Sequence, residues 1–406
     1  MATVSSMQQG SDIGDRVREA INRALPDRSD ASIAAEIGMT PDAFSRSMRG
    51  GRAFSTLEIA RLGDLLSEDV HWLITGAPDP YRVVFAARHD WDPETMARHV
   101  PGRDDASKTL EAIHLAYTQA QVWLDATQAV EPGEGSPTGP VEPPALPPDP
   151  REVRALLGND FVTTFADRVE DVFGVEVVRI PGLSTDYSFT LGKRRVIVLT
   201  AQSNWFRANS SLAHELAHLA LGHHDVTTPE SADEDAANQF GNELLLPEAD
   251  MRAIDWQTIT EEQLAHKIWE WGVSTKAIRY RLVGLRLPVA PAIWASLDEP
   301  TQRVLRRHPN ATSTPVTVPP GANLLAVTFA AADPISTRLS RAAERRIPAA
   351  LIKHHLDGIA EGKINKATLG WLLNTPVEEL EVDEPAPPAE NSADELIAAF
   401  GLAEVN

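Results

Sequence analysis

Two histidines four residues apart, with a glutamate directly after the first, stand at His214, Glu215 and His218. On a helix, positions four apart share a face, so both imidazoles can reach one ion. Glu215 lies one step round the helix, within reach of a water on that ion. The chemistry this spacing suits is metal-assisted hydrolysis of a peptide bond. A catalytic zinc needs a third protein ligand and an open position. The chain has no cysteine, so that ligand must be His, Asp or Glu. His224 follows His214 by ten residues, but the place three after His218, where a glycine would turn the chain, is Leu221, and Gly222 comes one residue late. Glu234 is the better candidate, because Asn238 is four residues on and shares its face. Asn238 is then expected to hold a neighbouring ligand in place. Asp233 and Asp235 are alternatives, although acidic residues in a first helical turn also simply suit the helix dipole. A His/His/carboxylate set accommodates manganese as well as zinc.

The elements that must position these groups can be read around them. Leu212, Ala213, Leu216, Ala217, Leu219 and Ala220 make the His214 helix apolar almost all round, so it should be buried. Two histidines and a glutamate in a buried helix need partners, since desolvating them alone is costly. Upstream, 152–173 reads as one helix, and 175–180, 187–191 and 196–200 read as strands. The last of these strands is expected to pair with an extended substrate. From 209 to about 285 the pattern is helical. Residues 151–290 thus form an α+β domain. Residues 131–150 contain eight prolines in twenty and form a stiff spacer. It separates a helical connector at 81–130 from the metal-binding domain. A softer break at 288–320 opens a mainly helical region over 291–383, and 384–406 is an acidic tail.

With these pieces in place, the middle of the chain resembles the ImmA/IrrE metallopeptidase family. The likeness rests on the 196–200 strand, Arg207, the run Ser-Leu-Ala-His-Glu-Leu-Ala-His, then Glu234, Ala237, Asn238 and Phe240, and Leu244-Leu245-Leu246-Pro247. It implies a zincin-like core in which His214, His218 and Glu234 bind zinc and Glu215 activates water. Ala217 stands where glycine is frequent, and Gly241 where alanine is frequent. Residues 262–285 resemble the helix-turn-helix-like segment that often follows such a core, and are read as packing because of Trp269 and Trp271.

The N-terminal segment, 11–76, reads as all-helical, with helices near 13–24, 32–37, 41–49 and from Thr56, which is taken as a cap. Thr40 suits an N-cap and Pro41 the first helical position. Ala34-Ala35-Glu36-Ile37-Gly38, then Phe44-Ser45-Arg46, then Trp72 to Gly76 resemble a Cro/C1-type (Xre) helix-turn-helix. In that fold the third helix enters the major groove. The likeness implies that Thr40, Asp42, Ala43, Ser45 and Arg46 face base edges and that Arg49 and Arg52 meet phosphates.

The net charge of −21 excludes a general nucleic-acid binder, since phosphate neutralisation needs Lys and Arg. Residues 1–75 themselves hold eight Arg against eleven Asp and Glu, so DNA binding must come from a local patch, be weak for a monomer and depend strongly on salt. A homodimer is compatible with this. No run of 18 apolar residues suggests a membrane span, and the N-terminus lacks a signal-peptide pattern. Absence of cysteine fits a reducing cytoplasm. The expected architecture is multidomain: an all-α N-terminal domain, an α+β zincin-like core and a mostly helical C-terminal region. By resemblance, the expected function is a zinc endopeptidase and transcriptional regulator that cleaves a partner helix-turn-helix repressor and binds operator DNA. The alternative is a DNA-binding regulator or antitoxin-type protein that uses the protease fold as a scaffold.

Overall fold

The computed structural model describes residues 2–66, 68–77, 79, 81, 83–85, 90–92, 97–99, 107–130, 145–183, 185–225, 231–312 and 333–385. Most of the proline-rich spacer, nearly all of the acidic tail and the 313–332 stretch of the softer break lie outside these. The chain divides into two compact units, Met1–Arg82 and Val83–Asn406.

The first unit contains α1 (Ala2–Ala24), α2 (Asp30–Glu36), α3 (Pro41–Met48), α4 (Thr56–Leu66) and α5 (Val70–Thr75). Val17, Ile21, Ile33, Ile37, Phe44, Leu62 and Leu73 meet in its core. Between α2 and α3, Gly38 takes φ 78°, a left-handed conformation that costs glycine little, and turns the chain within four residues. The Thr40 hydroxyl then accepts from Ala43 N at 3.2 Å and caps α3. The cap of α4 is Ser55 rather than Thr56. Its hydroxyl accepts from Glu58 N, and the Glu58 carboxylate accepts from Ser55 N at 2.7 Å, a reciprocal capping box.

The second unit is built on a four-stranded sheet. Its members are β1 (Val83–Phe85), β4 (Val175–Ile180), β5 (Tyr187–Leu191) and β6 (Arg194–Thr200), in the order β1-β5-β6-β4. A separate pair, β2 (Asp90–Asp92) and β3 (Ala97–His99), precedes α6 (Ser107–Val130). The connector therefore departs from the all-helical expectation: it supplies three short strands and one long helix. Three residues carry too little periodicity for such strands to be read from sequence.

β4 and β6 run parallel, and β5 runs antiparallel to β6. Val196, Ile197, Val198 and Leu199 are all buried, the mark of a strand covered on both faces. One face, with Val175, Val177, Ile197 and Leu199, joins the core formed by α7 (Pro150–Leu157), α8 (Phe165–Phe173) and α9 (Trp205–Ala220). On the other, Tyr187 and Phe189 meet aromatic rings of α6, with Tyr117 and Phe189 5.5 Å apart edge to face. Since β6 is paired on both sides, its backbone has no free edge, and the expectation that it pairs with substrate is corrected. The helix expected over 152–173 is broken: α7 ends at Gly158 (φ 80°), a 3-10 turn spans Phe161–Thr164, and α8 follows.

The remaining elements are α10 (Ser231–Leu245), α11 (Glu248–Ala253), α12 (Glu261–Trp271), α13 (Thr275–Gly284), α14 (Pro291–Leu297), α15 (Thr301–Arg307), α16 (Pro334–Ala343), α17 (Ala349–Ala360) and α18 (Lys366–Leu373). The C-terminal helices are integral to this unit. Arg346 exchanges backbone hydrogen bonds with Arg179 at the edge of β4, both 2.8 Å, and its guanidinium bonds Glu170 and Asp167 at 2.7 Å. Arg338 of α16 lies 3.5 Å over the ring of Trp269 and 4.9 Å over that of Trp205, a cation–π clamp between α12 and α9. Among the described residues, no helix is long and apolar enough to cross a membrane.

Candidate metal centre

The His214 helix is α9, started by Asn204, whose side chain accepts from Arg207 N. Leu212, Ala213, Leu216 and Ala217 are buried against the sheet and α10, which fixes the rotation of α9 and carries His214 and His218 to one side. α10 lies against α9 through Ala237, Phe240 and Leu244 and brings Glu234 to face them. His214 Nε2 is 3.4 Å from Glu234 Oε2, and His218 Nε2 is 3.6 Å from Glu234 Oε1. The two Nε2 atoms are 3.1 Å apart. Ligand atoms of all three residues lie within 4.8 Å of one another, and among the described residues this is the cluster that could hold a metal ion.

The hydrogen-bond pattern decides which atoms face inward. His214 Nδ1 donates to Asn238 Oδ1 at 3.1 Å, leaving the Nε2 lone pair directed at the cluster. His218 Nδ1 is 2.8 Å from His223 Nδ1, and His223 Nε2 is 3.7 Å from Asp233 Oδ1. With His218 Nδ1 as the donor, its Nε2 also offers a lone pair. Glu234 is buried, and its Oε1 receives no hydrogen bond. Two imidazole lone pairs and a buried carboxylate converging on one point repel each other unless a cation sits among them. The residues present fit a divalent ion.

Glu215 is buried beside this cluster. Burial pushes its carboxyl up to about 7; Asp186 and Glu234 add to the rise, while His214 and the Ser188 hydroxyl oppose it. Ser188 donates to Glu215 Oε2 at 2.7 Å. It sits on β5, where alternation turns Tyr187 and Phe189 to the α6 face and Ser188 to the α9 face. His214 is raised in basicity: burial works against its proton, but Glu234, Glu215 and Asn238 outweigh it.

Each residue singled out from sequence has a definite place. His214, His218, Glu215, Glu234 and Asn238 are brought together. His224, the competing third ligand, is buried but is not part of the cluster. Asp233 stands by His223, and Asp235 lines the cleft. The supporting roles of Ser188, His223 and Asp233 went unread. Ser188 is 27 residues from Glu215, and only the strand register shows it. The cleft beside the cluster has a volume of about 570 Å³ and runs from His214 and Glu215 to α13. α13 was read as packing; its Ile278 and Leu282 do pack, but Tyr280 and Val283 are exposed along the cleft.

In the first unit, Asp42 and Arg46 are exposed on α3 and pair with each other at 3.4 Å. Ala43 and Ser45 are half-buried. Arg49 is exposed and bonds Ser45. Arg52 differs from expectation. Its guanidinium grips the Glu58 carboxylate with two bonds of 2.9 Å and also reaches Ser47 Oγ at 3.0 Å. The Arg52 pair holds the Glu58 carboxyl down at about 2. The charge of Arg52 is spent inside the unit.

Comparison with curated proteins and with solved structures gives no match. Residues 170–283, the segment from the end of α8 to α13 that carries every member of the metal centre, match the family model described as the IrrE N-terminal-like domain, Peptidase_M78.

Proposed function

We propose that this protein is a zinc-dependent endopeptidase coupled to a DNA-binding unit. The observation that carries the reading is the convergence of His214, His218 and Glu234 within 4.8 Å, with the buried Glu215 alongside. A family match that suggests a metallopeptidase-like function over the same residues supports it.

When bound, the ion supplies a Lewis acid that polarises the scissile carbonyl and makes water a nucleophile near neutral pH. His214 and His218 would hold it through Nε2, and Glu234 through its carboxylate. Asn238 and His223 keep the two rings turned toward it. Glu215 accepts the proton of the attacking water and passes it to the leaving amine. Ser188 holds the Glu215 carboxylate for that transfer. His214 and Glu215 line the cleft, so the substrate enters there. Manganese is compatible with the same donors, and metal analysis of the purified chain distinguishes the two.

The second component is α3, which offers Thr40, Asp42, Ala43, Ser45, Arg46 and Arg49 as a surface for operator DNA. The paired expectation is a protein substrate that is a helix-turn-helix repressor, cleaved at one site.

The test is metal content and hydrolysis in three proteins. Wild type should carry about one zinc per chain, and His214→Ala should carry none. Glu215→Gln should keep the zinc and lose cleavage of the repressor substrate. A Glu215→Gln protein that retains the full cellular effect would sink the enzyme reading in favour of a binding scaffold.

A further inference from the structure

The four-stranded sheet has two outer edges, and the chain bonds to both. At β4, the backbone of Arg346 bonds that of Arg179. At β5 the partner is β1, with Val83 opposite Leu191, Val84 opposite Thr190 and Phe85 opposite Phe189. This second edge borders the chemistry. Ser188 of β5 donates to Glu215, and Thr185 and Asp186, which lead into β5, line the cleft together with His214 and Glu215. β1 is antiparallel to β5, so it runs from Val83 to Phe85 toward that end of the strand. It also lies beside the 3-10 turn His223–Asp225, whose first residue backs His218.

The edge of a strand is a row of N–H and C=O groups that an extended polypeptide can join by main-chain hydrogen bonds. A polypeptide that passes Glu215 and continues along β5 needs this row, and β1 holds it. The hold is short. β1 pairs through three residues, against five between β5 and β6 and six between β4 and β6. So short a ladder is weak on its own. β5 keeps its place through β6, so β1 can leave without unpairing the rest of the sheet.

We propose that β1 is an internal competitor of the substrate. It occupies the β5 edge in the resting chain, and an extended polypeptide exchanges with it to reach Glu215 and the metal centre. The inference rests on the peptidase reading for its consequence, but the exchange of strands can be measured without chemistry. The apparent affinity for substrate is reduced by the fraction of chains whose edge is open. Freeing the edge should therefore lower KM and leave kcat unchanged, because Glu215 and the metal-binding residues are untouched.

The chain has no cysteine, so an introduced pair can cross-link only with itself. Val84→Cys with Thr190→Cys puts two thiols at directly opposed positions of neighbouring antiparallel strands, a separation that a disulfide spans. Oxidation locks β1 on β5, and a phosphine reductant frees it. Val84→Pro with Phe85→Pro does the opposite. Successive residues alternate in bonding across an antiparallel pair, and proline has no N–H to give.

All proteins are zinc-loaded full chains. The strand probe is a fluorescent peptide of residues 81–87, followed by anisotropy in a Glu215→Gln background so that it is not cut. The proline variant should bind it at least about tenfold more tightly than the unmodified edge does, and the oxidised double-cysteine chain should not bind it. Cleavage is followed on end-blocked peptides of randomised sequence. At low peptide concentration the proline variant should cut at least about fivefold faster. Oxidation should slow the double-cysteine chain about tenfold, and reductant should restore it, while wild type responds to neither reagent.

Where cleavage occurs, a rate indifferent to the lock overturns the proposal. So does a peptide that binds the freed edge no better than the closed one. If the proline variant does not fold, the reduced and oxidised double-cysteine chains carry both measurements. Peptide binding as stated with no cleavage by any form leaves β1 as the occupant of a strand-accepting edge and removes the peptidase reading instead.

Discussion

His218 is held from behind by His223 at 2.8 Å, and His223 in turn faces Asp233. Partners of this kind orient a metal-binding ring and raise its basicity, and removing them costs about 10–100-fold in metal affinity. His223→Ala should therefore weaken zinc binding by about that factor, measured by competition with a chromophoric chelator. His223→Gln, which can still bond His218 Nδ1, should recover part of the loss. Unchanged affinity in His223→Ala would show that the contact does not orient His218. At this scale the spacing of His214, Glu215 and His218 was legible because one helix carries all three. Glu234 was legible through its offset from Asn238. Ser188 and His223 were not, since a serine on a strand and a histidine after a helix end have many ordinary explanations.

Among elements, α3 and its surroundings separate two kinds of arginine. Arg46 and Arg49 are exposed, whereas Arg52 is locked to Glu58 in the box that starts α4. If α3 meets DNA, each phosphate contact removed should flatten the salt dependence of binding by about one in the log–log slope. Arg46→Ala with Arg49→Ala should weaken binding to the operator and lower that slope. Arg52→Ala should leave the slope unchanged and instead destabilise the unit. An equal loss of slope in Arg52→Ala would mean that its pairing with Glu58 opens on DNA. From sequence alone, Arg49 and Arg52 receive the same phosphate-facing role, because side-chain pairing six residues apart across a turn is not a periodic signal.

For the whole molecule, the surprise is where the connector belongs. α6 covers the far face of the sheet, with Ile113, Ala116, Tyr117 and Ala120 buried. His355 of α17 bonds Ala116 O at 3.0 Å, and Trp123 donates to Glu361 at 2.9 Å, so helices on both sides of the metal domain in sequence close over it together. Removing 1–82 should leave zinc content and melting of the remainder intact. Removing 1–130 should strip the sheet of that cover and lower its melting temperature by on the order of 10 °C or more, from the loss of several buried side chains. Calorimetry of the two truncated chains checks this, and equal melting would show that α6 is dispensable.

Local pattern was enough for whatever lies within one turn of helix or one alternating strand. The helix of His214 and His218, the strands at 175–180, 187–191 and 196–200, the Thr40 cap and the acidic partner helix all depend on neighbours a few residues away. Tertiary structure alone decided what depends on distant segments meeting. It enclosed β6 between two strands, placed α6 and the C-terminal helices over the sheet, and turned Tyr280 and Val283 of α13 to the cleft. Apolar residues announce burial or contact but not with whom, and the partner is chosen only when register and packing bring separate stretches of chain to the same surface.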